Sequence, residues 1–125
     1  MVLADSSVWV GHFRAQDPRL IPLLEEGSVL MHPFVMGEIA CGHFKNRARV
    51  LAQLDALPVA ATASHDEVMQ FVEVWKLAGR GIGWIDTHLI LSALLSDCTL
   101  WTLDVRLKNA AIHVGVRHYA PILVN

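Results

Sequence analysis

The apolar positions of this chain fall into short continuous runs and helical stripes rather than into alternating patterns. Val2-Leu3-Ala4 and Thr99-Leu100-Trp101-Thr102-Leu103 read as strands buried on both faces, the signature of a parallel sheet. Each run stops at a carboxylate, Asp5 and Asp104, so two strands deliver an acid to the carboxyl edge, where open α/β sheets bind their ligands. Ser28 to Met31 is a brief third β-like segment, Val59 to Thr62 a fourth, and Val114 to Val124 a weak terminal strand.

Helical segments lie between the strands. Ser6 or Ser7 caps a helix through Arg14, and Asp17-Pro18 opens another to Gly27. His32-Pro33 starts a helix that places Phe34, Glu38 and Cys41 on one side, and residues 46 to 56 form a helix with a basic outer face. Ser64-His65-Asp66-Glu67 has the form of a capping box and opens a helix to Ala78. Gly79-Arg80-Gly81-Ile82-Gly83 is a linker. Ile85 to Ser96 follows, apolar almost all round, with Asp86 in its first turn; Asn109 to His113 is a short last helix. This alternation predicts an α/β fold with a central, mostly parallel sheet.

Composition narrows the picture. The 125 residues suit one domain, residues 1 to 125, but 54% hydrophobic residues and a mean hydropathy of +0.41 are high for so small a chain. The excess predicts a homodimer or a tight complex. No apolar run reaches the roughly 20 residues that cross a bilayer, and Asp5 comes too early for a signal peptide, so a cytosolic protein is expected. Cys41 and Cys98 read as buried free thiols, and Trp9, Trp75 and Trp101 as core, with Trp84 more open. A net charge of -2 excludes an all-over basic surface, yet Lys45, Arg80 and Arg106 lie in local basic groups that could form a track for a nucleic-acid backbone.

If Asp5, Glu38, Asp86 and Asp104 converge, carboxylates about 5 Å apart repel by roughly 3 kcal/mol per pair at an effective dielectric of 20. Such a cluster takes up protons or holds hard cations, Mg²⁺ or Mn²⁺, which suit phosphodiester hydrolysis. Ser6 and Thr102 are candidate supporting hydroxyls. Taken singly, the same residues are ordinary: Asp5 and Asp104 as helix caps, Asp86 as a first-turn acid, Glu38 as a solvated side chain. A phospho-receiver-like signalling domain is a rival, but it needs adjacent acids after the first strand, and here Ser6-Ser7 follows a lone Asp5. A non-catalytic RNA-binding domain is the second.

Four stretches in order, Ala4 to Val10, His32 to Ala40, Gly81 to Leu89 and Leu100 to Asp104, resemble the PIN-domain ribonucleases, specifically VapC toxins of toxin–antitoxin pairs. The resemblance implies an α/β/α sandwich and Mg²⁺- or Mn²⁺-dependent endoribonuclease activity on structured RNA of the translation machinery, tRNA or rRNA. It also implies a VapB-type antitoxin as partner and pairing through helices. Position by position, the acidic quartet would be Asp5, Glu38, Asp86 and Asp104, and the hydroxyl two residues before the last acid is Thr102. Many relatives carry a further acid shortly after the fourth; Val105-Arg106 stands there in this chain, one ligand fewer for a second ion.

Overall fold

The computed structural model describes residues 1 to 121. In chain order the elements are β1 (Val2–Ala4), α1 (Ser6–Arg14), α2 (Leu20–Glu25), β2 (Val29–Leu30), α3 (Pro33–Ala40), α4 (Arg47–Asp55), α5 (His65–Trp75), α6 (Trp84–Leu95), β3 (Thr99–Trp101) and α7 (Val105–Val114). The strands form one parallel sheet in the order β2-β1-β3, with Ala4 opposite Trp101 at the carboxyl end. The first strand is therefore the central one, as its fully apolar sequence requires. Helices pack in two groups, α1 with α3 and α4, and α5 with α6 and α7, giving an α/β/α sandwich.

The two outermost strands expected from sequence are reduced to single bridges. Val59 pairs in parallel with Met31, and His118 with Leu100. Each bridge is held by two main-chain bonds, Met31 N to Pro58 O and Ala60 N to Met31 O on one edge, Leu100 N to Arg117 O and Tyr119 N to Leu100 O on the other. Pro58, with no N–H to donate, cannot extend the first of them. The part of the expected terminal strand beyond residue 121 lies outside the described residues.

Helix boundaries differ from the sequence expectation where capping chemistry decides them. α1 is capped by Asp5, one residue before the serines, and α2 begins at Leu20 rather than at Pro18, because Asp17 spends its carboxylate on the Arg19 side chain and amide. α7 begins four residues earlier than expected, at Val105, because Asp104 caps it, and it ends at Gly115 with φ of +98°, which glycine adopts without strain. α5 stops at Trp75, since Lys76 turns left-handed. The Ser64 and Glu67 capping box at its start forms as expected.

The core lies on both sides of the sheet, with Trp9 and Trp101 among its largest fully buried side chains, beside Leu3, Leu20, Ile90, Leu100 and Leu107. α6 is buried continuously from Thr87 to Ala93, while Leu94 and Leu95 at its end are open. Trp75 is exposed rather than in the core, because it ends α5, and Cys41 is exposed at the cap of α3 whereas Cys98 is buried. Leu100→Ala, at a site with no exposure, is expected to lower unfolding free energy by about 2–5 kcal/mol in urea titration. Leu95→Ala, at an open position, is expected to change it by about 0.5 kcal/mol or less.

Candidate active site

The carboxyl edge of β1 and β3 is where the chain gathers its polar chemistry. Asp5 follows β1 directly, and its amide donates to Trp101 O at 3.0 Å, prolonging the ladder by one residue. The side chain is 5% exposed, and a buried carboxylate is tolerable only when hydrogen-bonded. Its Oδ1 accepts from Ser7 N (3.1 Å), Ser7 Oγ (2.5 Å) and Val8 N (3.3 Å), which caps α1. Its Oδ2 accepts from Thr102 Oγ1.

Thr102 in turn accepts from Asp104 N at 3.0 Å, and Ser7 Oγ accepts from Leu103 N at 3.1 Å. Two hydroxyls thus stitch the end of β1 to the end of β3. Of the two hydroxyls expected from sequence, Thr102 is in the first layer of contacts to Asp5. Ser6 is not: the bridging serine is Ser7, and Ser6 stands beside Glu38. Asp104, exposed at the start of α7, gives Oδ1 to Arg106 N at 2.9 Å and so caps its helix.

Asp86 comes from the first turn of α6, where its Oδ2 accepts from Gly83 N at 3.3 Å. It completes half a capping box; glycine has no side chain to supply the other half. Loss of hydration raises its pKa first, the Gly83 amide opposes that, and the Asp104 and Asp5 charges raise it further. Glu38 sits on the exposed rim of α3, whose Val35 and Ile39 face the core. Its pKa is also raised, by desolvation on its inner side, then by Asp86 and Asp5, with the Ser6 hydroxyl opposing. The four acids therefore share one electrostatic neighbourhood. They do not converge on one point: among the described residues no three His, Cys, Asp or Glu stand close enough to hold a common ion.

No Lys, Arg or His side chain among the described residues pairs with these four acids. Among the described residues the one ion pair is Arg19 with Asp17 at 2.7 Å, away from the four acids. Oxygen donors of this kind are those a hard divalent cation takes rather than a soft one, and the carboxylates would have to draw closer together to share one.

The basic candidates part company. Lys45 lies on a groove of about 420 Å³ that also takes in Glu38, Arg14 and His43. Arg106 reaches back over Gly81, ahead of α6. Arg80 is turned away, its Nε donating to Lys76 O at 3.1 Å and its NH2 meeting His113 Nε2 at 3.0 Å, at the far end of α7 from Asp104. Beside the acids, Phe34, Glu38, Cys41, Trp84 and Ile85 line an open, nearly wholly apolar depression of about 490 Å³.

Comparison with known proteins agrees with this architecture. Residues 2–112 match the PIN domain family. Ribonuclease VapC32 of Mycobacterium tuberculosis, in strains CDC 1551 / Oshkosh and ATCC 25618 / H37Rv, is 44% identical over 117 residues, covering 93% of this chain and 94% of the relative. The fold is similar to that of FitAcB from Neisseria gonorrhoeae, with a TM-score of 0.65 at 18% identity over 97% of this chain and 98% of the other. It is similar too to PAE2754 from Pyrobaculum aerophilum, with a TM-score of 0.59 at 16% identity over 87% and 78%. With a family match over nearly the whole chain and a relative this close, the chain belongs to the PIN-domain family, as a VapC-type member.

Proposed function

We propose that this protein is the toxin of a type II toxin–antitoxin pair, an endoribonuclease that hydrolyses RNA phosphodiester bonds with Mg²⁺ or Mn²⁺ held by Asp5, Glu38, Asp86 and Asp104. The observation that carries this reading is the four-acid neighbourhood without a cationic partner, at the carboxyl edge of the sheet, in a chain of this family. A divalent ion held by these carboxylates would supply positive charge for phosphate oxygens and would make a water more acidic.

The chain's own residues do the rest. Thr102 and Ser7 fix the Asp5 carboxylate against rotation, and the Asp104 N–H bond to Thr102 ties the fourth acid to the first. Gly83 N does the same for Asp86.

An antitoxin and a second copy are the proposed protein partners, and RNA of the translation machinery, tRNA or rRNA, inside the cell, the proposed substrate. A trough of about 530 Å³, lined by Trp9, Phe13, Leu24, Phe44 and Leu54, joins the Glu38 groove through Phe13, Phe44 and Lys45. It suits an apolar antitoxin helix whose basic tail then reaches the uncompensated acids. The Phe34 and Trp84 depression suits the second copy, whose matching helices would cover it.

Purified protein freed of its partner is expected to cut RNA with Mg²⁺ or Mn²⁺ and to stop when chelator is added. Asp5→Asn, which removes the charge and keeps one acceptor oxygen for the Ser7 and Val8 donors, should abolish cutting, with the fold followed separately by circular dichroism. Thr102→Val should cost about 10–100-fold. Cutting by Asp5→Asn at the wild-type rate would sink the assignment.

Charge on the acids gives a second test that needs no activity. Because folding raises the pKa values of Glu38 and Asp86, their contribution to stability is present below the ordinary carboxylate range. It is lost as pH rises through the raised values. In chelator the protein should therefore lose stability on account of these groups as pH rises out of the ordinary carboxylate range, about 4, toward neutrality, and Asp86→Asn should flatten that slope. Mg²⁺ at a hundred times its dissociation constant should restore about 2.7 kcal/mol at neutral pH, and not in Asp86→Asn.

Phe34→Glu should convert a dimer to a monomer in light scattering; an unchanged mass would move the contact to another face.

A further inference from the structure

Gly81 and Arg106 meet in a way that neither the acidic quartet nor the fold explains. Gly81 has φ of +77° in the linker before α6, and a Cβ placed there would lie 2.8 Å from Arg106 Cδ, 3.3 Å from NH1 and 3.4 Å from Nε. The Arg106 side chain therefore lies flat on the bare Cα of residue 81. Arg106 belongs to the first turn of α7, two residues after Asp104, while Gly81 precedes Asp86 by five. Its guanidinium is thus seated between the starts of the two helices that carry acids.

Despite that location it pairs with neither acid. Among the described residues Arg106 makes no ion pair, and its link to Asp104 is through its amide alone. Three other guanidiniums are spent on the protein itself, and Arg14, Arg49 and Arg117, which like Arg106 show no side-chain bond among the described residues, are not the ones that lie on the linker ahead of α6. Arg19 binds Asp17, Arg47 binds Gly42 O and Ala40 O, and Arg80 binds Lys76 O and His113. Arg106 is held in place by packing instead, exposed, with its donors unused. A guanidinium restrained in this way has already lost part of its rotamer freedom and matches a phosphate with two parallel donors.

We propose that Arg106, seated on Gly81, binds a backbone phosphate of the RNA strand entering the acidic site, and that Gly81 is a positioning residue that makes the seat. This rests on the reading of the protein as an RNA-cutting enzyme and names a residue pair through which it holds its substrate. Arg106 supplies the fixed positive charge that lets a polyanion approach four carboxylates. A side chain at residue 81 would lift it away.

The linker provides its own control. Gly79 has φ of +78° but open space around it, so Gly79→Ala imposes the same backbone strain without touching Arg106. Binding of a short fluorescein-labelled single-stranded RNA is measured by anisotropy in chelator over a series of salt concentrations, alongside KM and kcat for cutting with Mn²⁺. Arg106→Met is expected to weaken binding about tenfold, raise KM and lower the slope of log affinity against log salt by about 0.7, one phosphate contact on a single strand. Arg106→Lys should recover the slope but only part of the affinity. Gly81→Ala should resemble Arg106→Met, and adding it to Arg106→Met should cost nothing further, while Gly79→Ala stays near wild type in KM.

A wild-type protein that cuts RNA while Arg106→Met keeps the wild-type salt slope and KM overturns the proposal and leaves the nuclease reading standing. Equal losses in Gly79→Ala and Gly81→Ala would overturn the seat, since backbone strain alone would account for both. A wild-type protein that neither binds nor cuts RNA overturns both readings.

Discussion

The structure depends on one short chain of hydrogen bonds between neighbouring strand ends. A carboxylate that is almost wholly buried must be supplied with donors from its own surroundings, and Asp5 takes them from the first turn of α1 on one oxygen and from Thr102 on the other. Through Thr102 and Ser7 the same bonds hold Asp104 N and Leu103 N. The register of β1 with β3, the start of α1 and the start of α7 are in this way one constraint. A polar residue here does for the edge of the sheet what apolar packing does for its middle, and a change at Asp5 or Thr102 is felt by both helices at once.

The acids that lie around this knot are kept at a cost. Asp5 and Asp104 cap α1 and α7 and Asp86 sits in the first turn of α6, where backbone N–H groups and the helix dipole favour negative charge. That favours the charged form of three carboxylates sharing a neighbourhood. It does not offset the desolvation, and after it the mutual repulsion, that raise the pKa values of Asp86 and Glu38. Glu38, carried mid-helix by α3, has no such backbone support, and it stands on the rim.

What could be seen in the sequence follows from which interactions are local. The two apolar runs that end in Asp5 and Asp104 fixed the central strands and their direction, because a buried strand is apolar throughout. The helix carrying Asp86 was equally plain, and the Ser64 box formed as written. Less local choices were not legible. Asp5, Ser6 and Ser7 can all cap, and only the bond to Thr102, ninety-seven residues away, selects Asp5 and leaves Ser7 as the bridging hydroxyl. Val105-Arg106-Leu107 has no helical stripe of its own, so the start of α7 became visible only with its cap. Trp75 and Cys41 were misplaced because apolar character does not reveal which side of a helix end turns outward. The separation of Arg80 from the acids and the seating of Arg106 depend on His113 and Gly81, contacts that no spacing rule announces.

The two single-residue bridges at the margins of the sheet carry a consequence for how so apolar a chain stays discriminating. A long open margin offers a row of unpaired N–H and C=O groups on which any extended segment can grow. Here Val59 closes one side beside Pro58, and His118 the other, each after a single residue. Strand-wise polymerisation has no template to copy. The sticky surface is carried by helices and shallow depressions, whose shapes are particular, so recognition is by fit rather than by generic main-chain pairing. Selectivity among binding surfaces then follows from how little of the sheet is shown.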